Sequence, residues 1–141
     1  MRDSEAADPA RRWARVWHDA WEALDVEPIV ALYADGVVFS SQPFRAPYRG
    51  RDGVRAYVTN AFATEMGPRV WVSSPIVEGD RASISWWCAL REDGEDATLA
   101  GTSVLRFDAD GLVAEQWDAW NVSDRQADPP ANWSPFADRD A

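Results

Sequence analysis

Apolar residues recur at spacings of three and four between Pro9 and Leu24: Trp13, Val16, Trp17, Ala20, Trp21 and Leu24. That period predicts an amphipathic helix, with Asp8 as its N-cap and Pro9 at its first position. Asp25 reads as the cap of a second, short helix, with Pro28 in its first turn and Ile29, Leu32 and Tyr33 on its apolar face. "VVFSS" at 37–41 is a short strand, and the prolines of "QPFRAPYRG" break the chain into a loop or edge. "RDGVRAYVTNAFATEM" at 51–66 predicts a third helix, with Val54, Tyr57, Val58, Ala61 and Phe62 along one face.

The second half changes period. "RVWVSSPIVEGD" is a strand ending at the Gly79-Asp80 turn, "RASISWWCALRE" is another, and "DGED" at 93–96 turns it into "ATLAGTSVLRFD". "ADG" at 109–111 then leads into "LVAEQWDAWNV". Long strands joined by tight Asp/Gly turns imply an antiparallel meander. Helices first and strands later make an α+β domain, a curved sheet wrapped over three helices. The expected organisation is a polar leader over 1–9, one domain over 10–122, and an irregular tail over 123–141 that carries the isolated aromatics Trp133 and Phe136.

A length of 141 residues fits that single domain. A chain of this size buries roughly two thirds of its unfolded surface, enough for a core and a cavity. Nine tryptophans are an unusual supply of aromatic wall. The formal charge of −10 argues against nucleic acid and anionic membranes as partners. The basic residues are all arginine, so a Schiff-base lysine is excluded. His18 is the only histidine and Cys88 the only cysteine, which removes a two-histidine metal site and an internal disulfide. A lone cysteine fits a reducing cytoplasm. The first twelve residues lack the apolar core of a signal peptide, and no apolar run reaches the ~18 residues of a membrane helix.

"IVALYADGVVF", "PYRGRDGVRAYV" and "SVLRFDADGLVAEQWDAWN" stand in an order and spacing that resemble the nuclear-transport-factor-2-like superfamily, in its SnoaL-like branch. The resemblance runs from about Trp13 to Val122. It implies a cone, the cystatin-like α+β roll: a bent, mostly antiparallel sheet around a central pocket. Relatives include ketosteroid isomerases, limonene-type epoxide hydrolases, polyketide cyclases, dehydratases and proteins without chemistry, so the fold does not give the function. The ketosteroid isomerase positions fall near Trp17, Ser41 and Ala100, and none of that family's side chains is kept. The Arg–Asp pair of the epoxide hydrolases falls near Ile84 and Trp86 and is gone, but their second Asp falls on Asp118. Polyketide cyclases of this type also rely on an aspartate and a histidine, for which this chain has Asp118 and His18.

Alternation along "EQWDAWN" puts Gln116, Asp118 and Trp120 on one strand face. Asp118 reads as a surface carboxylate or, in an aromatic cavity, as an acid/base group whose pKa burial raises. His18 is a boundary residue or a second proton carrier. Trp86, Trp120, Phe39 and Trp21 are expected as walls. Tyr33, Ser41, Cys88 and Thr102 are expected as polar lining, with Tyr33 also able to anchor the second helix. Trp71 and Trp117 fall on the outer sheet face, where exposed aromatics favour a homodimer. The expected function is cofactor-free and metal-free acid/base chemistry of cyclase, isomerase, dehydratase or hydrolase type on a hydrophobic, ring-containing small molecule. A non-catalytic binder and a dimerisation module with a plugged cone are the alternatives.

Overall fold

The computed structural model describes residues 5–133. The chain runs through α1 (Ala7–Ala23), α2 (Glu27–Val30), β1 (Tyr33–Ser40), β2 (Tyr48–Arg49) and α3 (Gly50–Phe62). Then follow β3 (Glu65–Val72), β4 (Ile76–Glu78), β5 (Arg81–Glu92), β6 (Glu95–Phe107) and β7 (Val113–Ser123). The strands form one sheet in the order β2-β1-β7-β6-β5-β3, with β4 on β5. Every pairing is antiparallel except β1 with β7. The sheet is curved but stays open, with β2 and β3 at its ends. α1 packs on β3 and β5, and α3 packs on β1, so both helices close the concave side.

The helix periods carry through with shifted ends. α1 starts at Ala7, after the buried Ala6, so helix already occupies the end of the expected leader. Asp8 lies inside the first turn without capping it and pairs with Arg11 at 3.4 Å. Leu24 closes α1 in the left-handed region at φ 52°. Val26, not Asp25, precedes α2, which is only four residues long. Tyr33 belongs to β1 and not to the second helix.

The third helix ends at Phe62, before the expected Met66. Glu65 pairs with Glu92 and Met66 with Arg91, so the backbone leaves the helix to join the ladder of β5. Helical propensity is a weak prior that sheet pairing of this length overrides. At that same end of β5, Asp93 and Gly94 form a two-residue hairpin turn into β6, both with positive φ.

The described part of the tail folds back on the convex face. Thr98 Oγ1 donates to the Arg125 carbonyl at 2.6 Å and accepts from the Ala127 amide at 3.0 Å. Trp87 Nε1 donates to the Ala127 carbonyl, Arg69 pairs with Asp128 at 2.6 Å, and Trp133 meets Trp87 edge to face. Phe136 lies outside the described residues. Among the described residues no helix is long and apolar enough to cross a membrane.

Candidate functional site

The concave face holds a cavity of about 280 Å³. Alternation on β7 delivers Gln116, Asp118, Trp120 and Val122 to it, in line from floor to mouth. On β6, Ser103 is paired opposite Asp118 and Gly101 opposite Trp120. A Cβ on Gly101 would stand 2.5 Å from Trp120 Cβ and from the Ala119 carbonyl oxygen, so only glycine lets Trp120 sit this close. β5 adds Trp86, α3 adds Tyr57 and Phe62, and β1 adds Phe39.

Helix α1 supplies a run of indoles. Trp13, Trp17 and Trp21 recur at the helical four-residue spacing and all face the cavity. Neighbouring rings lie 5.8 and 5.9 Å apart, and Trp21 continues onto Trp86 at 5.6 Å. Sequence periodicity alone assigns Trp13 and Trp17 to the core; in the structure they are also cavity wall.

The indole N–H groups are all given to protein acceptors, and those of Trp13, Trp17 and Trp86 fix the polar network that holds Asp118. Trp13 and Trp17 donate to the Tyr33 hydroxyl at 3.3 and 3.2 Å. An indole nitrogen only donates, so the Tyr33 proton must go elsewhere. It goes to Gln116 Oε1. The Gln116 amide is thereby oriented, and its Nε2 donates to Asp118 Oδ1 at 3.0 Å. The same logic runs on the other side. Trp86 Nε1 donates to Ser103 Oγ at 3.0 Å, and Ser103 gives its proton to Asp118 Oδ1 at 2.6 Å.

Asp118 is therefore bonded on one oxygen only. Oδ2 receives no hydrogen bond from the described residues, and the only sealed, unpartnered side-chain polar atom among them is Ser41 Oγ. Oδ2 thus borders the cavity. Asp118 is 7% exposed. Burial pushes its carboxyl up to about 7, against the hydrogen bonds from Ser103 and Gln116, which favour the charged form. Because Oδ1 already accepts twice, a bound proton belongs on Oδ2.

A second carboxylate lines the cavity. Glu65, the first residue of β3, is 8% exposed and accepts from Trp21 Nε1 at 2.7 Å through Oε1. Burial pushes it up to about 7, the Trp21 bond pulls it down, and the charge of Glu92 adds to the rise. The sequence reading missed it because the helix was carried through Met66. The Gly67-Pro68 pair only bounds a helix at Met66, so no sequence signal places Glu65 on the sheet.

The other expected site residues are scattered. His18 is one residue, or about 100°, around α1 from Trp17. It sits outside the cavity with Nδ1 2.9 Å from Asp19 and Nε2 3.8 Å from Glu22, so the structure does not bring it to Asp118. Tyr33 is fully buried behind Gln116, where burial pushes its hydroxyl pKa up; it positions the network and does not line the cavity. Cys88 is fully buried in the core, off the cavity wall, with its thiol pKa also raised by burial. Thr102 falls on the convex face, its hydroxyl 3.3 Å from that of Ser85. Ser41 stays off the lining, but its carbonyl accepts from Trp120 Nε1 at 2.7 Å and holds that wall. Trp21, Phe39, Trp86 and Trp120 do line it. Among the described residues no three His, Cys, Asp or Glu side chains converge to hold a metal ion.

The sequence matches the SnoaL-like domain family over residues 14–116. The chain belongs to that family. No curated protein matches the sequence. The fold is similar to that of RV0760c from Mycobacterium tuberculosis, with a TM-score of 0.70 at 19% identity, over 82% of this chain and 95% of that one. It is also similar to a candidate aromatic ring hydroxylase from Novosphingobium aromaticivorans, with a TM-score of 0.67 at 20% identity, over 85% of this chain and 93% of that one. At such identities these neighbours bear on fold alone.

Proposed function

We propose that this SnoaL-like protein is a cofactor-free acid/base enzyme whose cavity takes a hydrophobic, ring-containing small molecule, with Asp118 as the proton carrier. The carrying observation is the asymmetry of Asp118: one oxygen held by Ser103 and Gln116, the other bare toward an aromatic cavity. A carboxyl pushed to about 7 is present in both protonation states at neutral pH, which suits it to take and return a proton. Trp86, Trp120 and Phe39 exclude water around it. Isomerisation, cyclisation, dehydration and hydrolysis all draw on such a group. His18 has no part in this scheme, and Glu65 joins Asp118 as the second ionisable wall.

The test is a ligand screen by thermal shift, followed by turnover assays on the hits with the protein and its Asp118→Asn variant. Asparagine keeps an oxygen for Ser103 and Gln116. Turnover should fall by about 10²–10⁴-fold with ligand affinity retained. Unchanged turnover would remove Asp118 from the chemistry.

A homodimer through the convex face belongs to the same reading. It is supported by Ile76, Val104 and Trp117, which stand in one cross-strand row with Ser83 and are 53%, 46% and 55% exposed. Trp117→Arg should shift the sedimentation coefficient from dimer to monomer; a monomeric parent protein would remove the proposal.

A further inference from the structure

The cavity offers hydrogen-bond acceptors and almost no donors. The five indole N–H groups of Trp13, Trp17, Trp21, Trp86 and Trp120 are all given to protein acceptors, so these residues show a ligand only their ring faces. No Arg and no His lines the cavity among the described residues, while Glu65, Glu92 and Asp118 do. Asp118 Oδ2 and Glu65 Oε2 have no partner among the described residues, and both side chains are more than nine-tenths buried. The side-chain donors left are the Tyr57 hydroxyl and the second amide hydrogen of Gln116.

The mouth repeats the pattern. A depression lined by Glu92, Asp93, Glu95, Asp96 and Asp124 adjoins the cavity and shares Glu92, Ala97 and Val122 with it. Of these acids, Asp96 has a cationic partner, Arg91 at 3.3 Å. Asp118 lies four residues along β7 from Val122, about 13 Å at ~3.3 Å per residue. A ligand reaching Asp118 therefore passes an acidic rim and Glu65 before it meets the floor.

We infer that the ligand of this cavity is a positively charged aromatic or alicyclic amine, its ammonium held by Glu65 against indole faces and its ring directed to Asp118. The inference rests on the reading of this cavity as the ligand site. Three forces act in the same direction. An ammonium supplies the donors that the bare carboxylate oxygens lack. Tryptophan faces attract cations, by about 0.5–2 kcal/mol each. The rim and the net charge of −10 raise the local concentration of cations and repel anions. A ligand carboxylate would meet like charge at Glu65, Glu92 and Asp118 and find only the Tyr57 hydroxyl and the Gln116 amide as donors. The cavity volume, near the lower end of the ~300–1,000 Å³ usual for small-molecule sites, suits one or two fused rings.

Charged groups around the two carboxylates support this assignment. Glu92 on β5 is felt at Glu65, and both carboxylates are felt at Tyr57 on α3, whose hydroxyl pKa burial raises so that it stays neutral. Arg45, on the loop after β1, is felt at Tyr57 and lies off the cavity lining.

Three probes with one ring system and different charge test the inference: 1-naphthylmethylamine, 1-naphthalenemethanol and 1-naphthoic acid, titrated calorimetrically into the full chain at pH 8 and pH 5.5. At pH 8 the amine should bind at least tenfold more tightly than the alcohol, and the acid should not bind. At pH 5.5, below the raised values of about 7 for Asp118 and Glu65, the amine's advantage should shrink. Glu65→Gln, which keeps an acceptor for Trp21, should cut that advantage at least fivefold and leave the alcohol unchanged. The exposed triple variant Asp93→Asn, Glu95→Gln, Asp124→Asn should slow amine association and flatten its salt dependence with dissociation unchanged. Equal or tighter binding of the alcohol, preference for the acid, or no binding of the amine at millimolar concentration overturns the inference. Loss of turnover control by Asp118 with the amine preference intact would sink the acid/base reading alone.

Discussion

Trp21 and Trp86 meet edge to face, 5.6 Å between centroids, and send their N–H groups to opposite ends of the cavity. Trp21 donates to Glu65 at the mouth side; Trp86 donates to Ser103, which in turn holds Asp118 at the floor. The two buried carboxylates are thus linked to the two members of one aromatic pair, Glu65 directly and Asp118 through Ser103. Each keeps a bare oxygen and an elevated pKa.

That elevation fixes a pH dependence of stability. Folded values of about 7 for Asp118 and Glu65 stand above ~3.9 and ~4.3 for the unfolded groups. Between those limits the folded protein binds more protons than the unfolded chain, so these groups make stability fall as pH rises. The loss runs from about pH 4 to about pH 7 and is complete above it. Asp118→Asn removes its share. Its melting temperature should exceed the parent's at pH 8 and the margin should shrink at pH 5. Scanning calorimetry at both values checks this, and a margin that grows on acidification contradicts it.

The hydrogen bonds on Asp118 act the other way. Ser103→Ala deletes a bond to the charged form, so the apparent pKa of Asp118 should move above about 7. Tyr33→Phe frees the Gln116 amide and should move it in the same direction without touching ligand. Each also leaves buried partners unmet, at about 1–3 kcal/mol of stability. Carboxyl-resolved NMR titration measures the shift; an unchanged or lower pKa would falsify the network as drawn.

Gly101→Ala brings a methyl to within 2.5 Å of Trp120 Cβ and the Ala119 carbonyl. The β6–β7 pair must spread, at about 1–3 kcal/mol by the usual scale of overpacking. Trp120 should leave its Ser41 anchor, and the cavity should lose ligand affinity more than tenfold. Urea unfolding and the calorimetric titrations read the two effects separately.

Thr98→Val keeps shape and removes both tail bonds. Arg125 then becomes a free tryptic site, and cleavage there should accelerate several-fold, with stability lower by about 1–3 kcal/mol. An unchanged digestion rate would mean that Trp87, Arg69 and Trp133 hold the tail without Thr98.

The fold was legible because its signals are periodic. Spacings of three and four around Trp17, and alternation along 81–92 and 112–122, survive as α1, β5 and β7. Asp118 was legible for the same reason, since alternation between Gln116 and Trp120 fixes its face. What failed depended on a boundary or on a rotation about an axis. Glu65 was hidden by a helix end that strand pairing moved. His18 is adjacent to the cavity-facing Trp17 in sequence, yet one residue turns a helix by about 100°. Ser41, Cys88 and Thr102 are small polar residues whose depth depends on which neighbour covers them, a tertiary property. The tail was read as irregular from its turn formers; its anchor is Thr98, 25 or more positions away.

Trp13, Trp17, Trp21 and Trp86 are each held at two points, by the nitrogen and by a neighbouring indole, and Trp120 is held by its nitrogen. Such a side chain has one orientation before any ligand arrives. The conformational entropy of ordering the wall is lost on folding, and binding does not lose it again. A guest that matches the shape should therefore bind tightly for its size, and one that does not will find little in the wall that yields.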